Sequence, residues 1–394
     1  MLRKIVDKLV NGFIFIYRTV FLIFRLPKKK NAIIIAYQAI YRLDAIGYDS
    51  LKQYEVLKKN GHHTYLYAEK FDRSLFHKIL VRRQFNSLIK EKNNTLVLHY
   101  GNFWPGVEEI IARANCRIVI KYHNITPSKY FKAYNPDIAG EIEKGYRQIR
   151  AIAKSRKIRL YLPDSAYNGQ QLQKMGVKTD RLAVIPPFHK TDLFERVAEN
   201  KKLKRKLRNG SINILFVGRI APNKGHIHLI ETINTYIKKY KARNICLHIV
   251  GGIAVQAYYE KLISMVNKYD MLNNVCFAGQ VDMRGLSTYY RNSHVFLLMS
   301  EHEGFCVPLL EAQYHGIPIV SLDRTAVRGT LGRGQCIHTR LDYSLFADSI
   351  NRIINDGGYR KKIIDSGHNN YRWFSSEIIS ENFLNIINGM IHGK

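Results

Sequence analysis

The chain has 394 residues, 46% of them hydrophobic, and a formal net charge of +31. This length predicts two domains with ordinary globular cores, and five scattered cysteines without a C-x-x-C pair argue against a disulfide framework and for a reducing compartment. Residues 1–190 hold +21 of the charge and residues 191–394 hold +10, a field that attracts anionic membranes or nucleic acid.

The first 30 residues predict an amphipathic helix. Lys4, Asn11, Arg18 and Arg25 recur every seven residues, so at the helical period they form one polar stripe opposite a wide apolar face. The segment lacks a run of 18 uncharged residues and a small-residue cleavage site, which argues against a spanning helix and a signal peptide. We interpret it as a helix lying on an anionic leaflet; the alternative is a helix that docks on the protein's own core.

Two series of alternating strands and helices follow, and such alternation predicts parallel sheets. The first series has apolar strands at 32–37, 64–68, 96–99, 118–123 and 158–162. The second has them at 212–217, 245–250, 274–278, 295–299 and 317–322. We predict a membrane-association helix at 1–30, a Rossmann-like domain at 31–190, a linker at 191–210, a second Rossmann-like domain at 211–375 and a C-terminal helix at 376–394.

A basic motif follows the first strand of the second series. Gly218 and Arg219 come directly after that strand, Lys224 and Gly225 follow after four intervening residues, and a helix is predicted from residue 226. The spacing brings two cations to a helix N-terminus. There they can hold a diphosphate and stabilise its charge as it leaves.

An acidic motif follows the strand at 295–299. Glu303 lies in the strand-to-helix loop, and Glu311 lies about one turn inside the helix opened by Pro308. Ligands of open α/β sheets bind at the carboxyl ends of strands. The backbone N–H groups of 304–307 face a helix N-terminus, which favours phosphate or sugar oxygens.

Together, the strand–G-R–x4–K-G–helix unit and the E-x7-E pattern resemble the retaining glycosyltransferases of the GT4 type. The resemblance covers about residues 30–375 and is strongest over 212–325. It implies an α/β GT-B fold, with two Rossmann-like parallel-sheet domains facing a cleft. It also implies a metal-independent reaction, and the chain contains no D-x-D motif.

The resemblance also implies the site. Its predicted catalytic residues are Glu303, His123, Arg219 and Lys224. Its predicted donor-binding residues are Gly218, Arg219, Lys224, Glu303, Gly304, Phe305, Cys306, Val307, Glu311, Gly279, Val281 and Gly47. In this scheme Arg219 and Lys224 hold the diphosphate, Glu311 binds the ribose, and Glu303 contacts the donor sugar.

The base would meet mostly main chain at Gly279 and Val281, and Gly47 is the one glycine kept from the family's usual pair. His123 ends a predicted strand where GT4 enzymes often place a histidine near the donor sugar. His99, which ends the preceding strand, is its competitor for that role.

The predicted function is transfer of a hexose from a UDP- or GDP-sugar, without cofactor or metal, to a saccharide acceptor. The basic N-terminal half favours a polyprenyl-diphosphate-linked acceptor, as in surface polysaccharide assembly. We expect peripheral attachment to an anionic membrane surface, at the cytoplasmic face of the inner membrane.

Other functions remain open at this point. The charge alone suggests a nucleic-acid-binding protein, but no recognition module is visible. A catalytically silent GT-B partner subunit, or a GT-B epimerase or phosphorylase, would keep the fold and change the activity. The chain lacks a G-x-G-x-x-G after its first strand and a G-x4-G-K-[ST] motif, which argues against nicotinamide enzymes and P-loop ATPases.

Overall fold

The computed structural model describes residues 30–42 and 44–392. The predicted amphipathic helix therefore lies almost wholly outside the described residues. Among the described helices, none combines the length and the apolar character needed to cross a membrane.

The first domain is built on a sheet of five parallel strands in the order β2-β1-β3-β4-β5. Its strands are β1 (Ala32–Ile40), β2 (His63–Phe71), β3 (Thr95–Tyr100), β4 (Arg117–Tyr122) and β5 (Ile158–Pro163). Its helices are α1 (Ala45–Lys59), α2 (Arg82–Leu88), α3 (Val107–Arg113), α4 (Pro136–Ala153) and α5 (Ala166–Lys174). Short 3-10 turns lie at Arg73–Leu75, Ser128–Tyr130 and Thr179–Arg181.

The predicted linker contains two short helices, α6 (Thr191–Phe194) and α7 (Lys201–Leu207). Phe194 and Leu207 are buried in the hydrophobic core of the second domain. The basic residues of α7 dominate its composition, which is why the segment reads as a solvated connection in the sequence. Leu203 also packs against that core, and Asn200 N donates to Thr288 Oγ1 at 2.8 Å, so α7 lies against the second domain.

The second domain has six parallel strands in the order β11-β10-β9-β6-β7-β8. They are β6 (Ile212–Val217), β7 (Ile245–Val250), β8 (Val275–Gly279), β9 (Val295–Leu298), β10 (Ile319–Leu322) and β11 (Cys336–His338). The helices are α8 (His226–Tyr240), α9 (Gln256–Lys268), α10 (Met283–Arg291), α11 (Val307–Tyr314), α12 (Val327–Leu331), α13 (Tyr343–Asn355), α14 (Gly357–Tyr371) and α15 (Ser376–His392). Further 3-10 turns lie at Pro222–Lys224 and Arg372–Phe374.

These strands are apolar on both faces because helices cover both sides of each sheet. Ile33, Ile34 and Ile35 in β1 are all fully buried, although their side chains alternate between faces. The predicted α/β class with two Rossmann-like parallel-sheet domains is confirmed. The sequence does not predict β11, because three residues are too few to show a period.

Helix α15 returns to the first domain. Ile379, Phe383 and Ile387 recur every four residues, so they lie on one face of the helix, and all three are buried in the first domain's core. The Phe383 ring packs edge-on against Phe188, with the ring centroids 6.3 Å apart. The last helix thus fastens the two domains to each other.

Candidate functional site

The two sequence motifs meet at one point of the second sheet. Strands β6 and β9 are hydrogen-bonded neighbours although the chain visits β7 and β8 between them. The strand order reverses there, and such a switch point opens a crevice at the carboxyl ends of the strands. Arg219 follows β6 and Glu303 follows β9, so both motifs lie at the rim of this crevice.

The turn after β6 delivers Lys224 to the crevice. Pro222–Lys224 is a 3-10 turn, and Gly225 then adopts the left-handed conformation (φ +68°) before α8 begins. A Cβ atom on Gly225 would lie 2.0 Å from the carbonyl oxygen of Met299. Only glycine allows the turn to approach the end of β9 so closely.

Lys224 and Glu303 form an ion pair. Lys224 Nζ lies 2.8 Å from Glu303 Oε1 and 2.7 Å from Oε2, and the Glu303 residue is only 5% exposed. Thr325 fixes the Glu303 backbone, since its Oγ1 accepts from Glu303 N at 2.8 Å and donates to Glu303 O at 2.7 Å. The structure therefore brings together a cation and a carboxylate that the sequence places 79 residues apart.

The loop after Glu303 contacts the first domain. Gly304 O accepts a hydrogen bond from Ser165 Oγ at 2.7 Å, and His302 Nε2 donates to Asn124 Oδ1 at 2.8 Å. A Cβ atom on Gly304 would lie 2.6 Å from Asn124 Cβ. The floor of the cleft is therefore built from both domains.

The remaining members of this loop support it. Phe305 is buried and packs against Phe374 with the ring centroids 5.7 Å apart. Cys306 adopts a left-handed conformation (φ 75°) at the N-cap of α11, and burial raises the pKa of its thiol well above the usual value. Val307 is the first helical residue, one position earlier than predicted.

Glu311 lies inside α11 and is buried. Its Oε2 accepts a hydrogen bond from Tyr290 Oη at 2.7 Å. Burial raises the pKa of the Glu311 carboxyl, while the Tyr290 hydrogen bond and the charge of Lys190 act in the opposite direction. Neither Tyr290 nor Lys190 is predicted from the sequence.

Gly218, Gly279 and Val281 lie at the carboxyl ends of β6 and β8, and between them Gly251 follows β7. Gly251 N donates to Gly279 O at 2.9 Å, and Gly218 N donates to Val250 O at 2.9 Å. Backbone groups therefore line this edge of the crevice. Arg219 is exposed at the same edge.

The structure explains why residue 47 is a glycine. It lies in the first turn of α1, where its N–H donates to the N-cap side chain of Asp44 at 3.0 Å. A Cβ atom on it would lie 2.2 Å from Tyr41 O. Strand β1 runs three residues beyond its predicted end, and Gly47 lies inside α1 (Ala45–Lys59), so it is helical rather than part of a loop.

His123 lies just beyond β4 with both ring nitrogens engaged by protein groups. Its Nδ1 lies 2.9 Å from Asp164 Oδ2, and its Nε2 lies 2.8 Å from His99 Nδ1. The side chain is 4% exposed. The two histidines that compete for one role in the sequence are therefore hydrogen-bonded partners.

Metal-binding capacity is limited among the residues at 30–42 and 44–392. In this part of the chain, one group of three potential ligands has its ligand atoms within 4.8 Å of one another: Asp49, His99 and His123. Those atoms are already in mutual contact, since His99 Nδ1 and His123 Nε2 share a hydrogen bond. The predicted site residues Glu303, Lys224 and Arg219 lie outside this group.

The chain resembles known proteins in sequence and in structure. Residues 197–370 match the family model described as glycosyl transferases group 1. The capsular polysaccharide biosynthesis glycosyltransferase CapM of Staphylococcus aureus is 28% identical over 202 residues, which are 48% of this chain and 50% of that protein. A D-inositol 3-phosphate glycosyltransferase of Acidothermus cellulolyticus is 27% identical over 206 residues, which are 50% of this chain and 45% of that protein.

The chain thus spans about half the length of these curated relatives. The solved structure of Anabaena HepE in complex with UDP and glucose aligns with a TM-score of 0.71 at 15% identity, covering 91% of this chain and 99% of that one. At this identity the likeness concerns the fold alone, and it agrees with the GT-B architecture predicted from the two motifs.

Proposed function

We propose that this chain, whose residues 197–370 match the family model of glycosyl transferases group 1, transfers a hexose from a nucleotide diphosphate sugar to a saccharide acceptor. The pairing of Lys224 with Glu303 carries the proposal, because it joins the two motifs at the switch point of the second sheet. When the bond between phosphate and sugar breaks, the cation can stabilise the phosphate and the carboxylate can stabilise the sugar.

The proposed chemistry needs no metal. Arg219 and Lys224 stabilise the charge of the leaving diphosphate, assisted by backbone N–H groups at the start of α11. Glu303 stabilises the positive charge that develops on the sugar. The leaving phosphate oxygen takes the proton of the acceptor hydroxyl, so the sugar keeps its configuration and no protein base is required.

The proposed donor is a UDP- or GDP-sugar. Its ribose would bind Glu311, whose second carboxylate oxygen is not used by Tyr290. Its base would lie against the main chain around Gly279 and Val281. The presence of UDP and glucose in the HepE structure supports a nucleotide-sugar donor for this fold.

The proposed acceptor is a saccharide carried on a polyprenyl diphosphate, used in surface polysaccharide synthesis. The excess positive charge of residues 1–190 supports attachment to an anionic membrane surface, and the name of the CapM relative supports a capsule-like product. We place the protein peripherally at the cytoplasmic face of the inner membrane.

The test is a transfer assay with the full-length chain on anionic vesicles that carry a polyprenyl-diphosphate-linked disaccharide. Radiolabelled UDP-glucose, UDP-N-acetylglucosamine and GDP-mannose are supplied separately, each with and without EDTA. We expect label to enter the lipid fraction from one donor, unaffected by EDTA, with the donor's anomeric configuration in the product. Binding of random duplex DNA without any effect of the three donors would contradict the proposal.

One glycine tests the backbone edge of the crevice. A Cβ atom on Gly251 would lie 2.1 Å from Gly218 O and 3.1 Å from Arg219 N. Overpacking of this kind costs about 1–3 kcal/mol, and here it displaces the loop that presents Arg219. We expect Gly251→Ala to weaken donor binding by roughly tenfold, about 1.4 kcal/mol, in calorimetric titrations.

The adjacent Gly252 is the matched control, because a Cβ atom on it would meet nothing within 4 Å. Gly252→Ala should bind donor as the native protein does. Equal affinities for the two variants would contradict the assignment of this edge to the donor.

A further inference from the structure

A chain of buried hydrogen bonds lies beneath the loop that carries Glu303. It runs from Asp164 Oδ2 to His123 Nδ1 (2.9 Å) and from His123 Nε2 to His99 Nδ1 (2.8 Å). It continues from His99 Nε2 to Gln53 Oε1 (3.1 Å) and from Gln53 Nε2 to Asp49 Oδ2 (3.0 Å). Asp49, Gln53 and His99 are fully buried. None of these bonds is used by the proposed reaction.

The direction of each bond follows from the one before. The amide N–H of Gln53 donates to Asp49, so its Oε1 faces His99 as an acceptor, and His99 Nε2 must carry a hydrogen. A neutral imidazole has one N–H, so His99 Nδ1 accepts. The hydrogen between the two rings therefore belongs to His123 Nε2, and His123 Nδ1 must also donate because Asp164 accepts.

We propose that His123 is a buried imidazolium, and that His99 and Gln53 are the positioning residues that keep both of its nitrogens protonated. An imidazolium with both N–H groups directed at protein acceptors has no lone pair for a substrate proton. His123 would then act as a fixed positive charge in the floor of the cleft, never as a general base. This last role rests on the proposed function, whereas the protonation does not.

The charge of the cluster agrees with this assignment. The groups facing His123 are Asp49 from α1, His99 from β3, Lys121 from β4 and Asp164 from the end of β5. With Asp49 and Asp164 both ionised, two carboxylates, one ammonium and one imidazolium sum to zero, whereas a neutral His123 leaves a buried net charge of −1, which is costly. Burial lowers the pKa of His99, and the charges of His123 and Lys121 act in the same direction, so His99 is the neutral ring.

Two other arrangements fit less well. Turning the Gln53 amide over would place the extra proton on Asp49, and burial raises the pKa of that carboxyl. The charges of Lys121 and His123 act in the opposite direction, and Asp49 Oδ1 accepts the backbone N–H of Phe188 at 2.8 Å, which favours the carboxylate. A metal held by both rings at about 2.1 Å would separate the two nitrogens by about 3.0–3.4 Å in octahedral or tetrahedral geometry. The observed 2.8 Å between His99 Nδ1 and His123 Nε2 is a hydrogen-bond length.

The protonation can be read by nuclear magnetic resonance of the full-length protein labelled with ¹⁵N-histidine. His123→Gln identifies the resonances of that ring. We expect both His123 nitrogens to show one-bond coupling to hydrogen at neutral pH, and His99 to show it at one nitrogen. A His123 ring with a single protonated nitrogen, or a stoichiometric divalent cation retained after dialysis against EDTA, would overturn the proposal.

The positioning role is tested with Gln53→Met, which removes both the acceptor for His99 and the donor for Asp49. His99 can then reverse its tautomer and donate to His123, and we expect His123 to lose one of its two couplings. Gln148→Met is the control, because Gln148 is a buried glutamine of the same domain bonded to Tyr100 and Trp104 instead. An unchanged His123 in the Gln53 variant would contradict the role of Gln53.

The spectrum of the native protein tests the protonation even if the Gln53 variant does not fold. An imidazolium in a protein that transfers no sugar would leave this inference standing and reject the proposed function. A neutral His123 in an active transferase would do the reverse.

Discussion

Glu303→Gln should lower the rate of sugar transfer by roughly 10²–10³, the loss seen when one group that stabilises transition-state charge is removed. The carboxylate is buried and paired with Lys224, and Thr325 holds the Glu303 backbone, so the carboxylate meets the donor in a fixed orientation. Glutamine keeps the shape and one acceptor for Lys224 but carries no charge. Lys224 is 23% exposed and can be solvated, so we expect the thermal midpoint to change little.

Glu301→Gln is the matched control for this substitution. Glu301 lies two residues earlier in the same loop, its side chain is 41% exposed, and its Oε1 lies 3.2 Å from His228 Nε2. Initial rates of transfer with saturating donor and acceptor separate the two variants. Native turnover by the folded Glu303→Gln protein would remove the carboxylate from the mechanism, and with it the main support for the proposed chemistry.

Lys121→Met should destabilise the fold by about 3–5 kcal/mol, the cost of breaking a buried ion pair from one side. Lys121 is fully buried in β4, where its Nζ contacts both Asp164 and the carbonyl oxygen of Ile185. Burial would raise the pKa of Asp164, but the charges of His123 and Lys121 lower it. Without Lys121, a carboxylate would remain buried with half of its compensation.

Urea unfolding monitored by tryptophan fluorescence gives the free-energy change. Lys361→Ala is the exposed counterpart, because Lys361 pairs with Asp365 across one helical turn with both side chains mostly exposed. Such surface pairs contribute about 0.5 kcal/mol or less. Equal unfolding midpoints for the two variants would show that Lys121 and Asp164 do not form the pair described.

The motifs could be predicted because their residue types have few other uses at that spacing. Arg219 and Lys224 before a helix, and two glutamates around another helix start, each indicate oxygen ligands. Their contact depends on β6 and β9 being neighbours, and the local periodicity of a sequence does not predict the order of strands in a sheet. The resemblance to a known family implied that the two motifs lie together, and the structure shows the distance between their residues.

The partners of these residues could not be predicted in the same way. Tyr290, which donates to Glu311, is one of 25 tyrosines and lies in a helix with no motif. The sequence of α1 gives a weaker indication of its partners. Its buried face carries the polar residues Asp49, Ser50 and Gln53, where an amphipathic helix places apolar residues. A buried polar face of this kind indicates a hydrogen-bond network but not its members.

Calorimetric titration with UDP-, GDP- and ADP-sugars tests most directly whether the crevice beside Arg219 binds a nucleotide diphosphate sugar. Arg219→Ala should weaken binding of the selected donor roughly 10- to 100-fold, since a hydrogen bond to a charged group contributes about 1.5–3 kcal/mol. Arg243→Ala is the control, because Arg243 is an exposed arginine just before β7, at the amino-terminal ends of the same strands, and is paired with Asp270. We expect selective binding that only the Arg219 substitution weakens; no binding of any donor to the folded protein, or equal binding by both variants, would contradict a donor site beside Arg219.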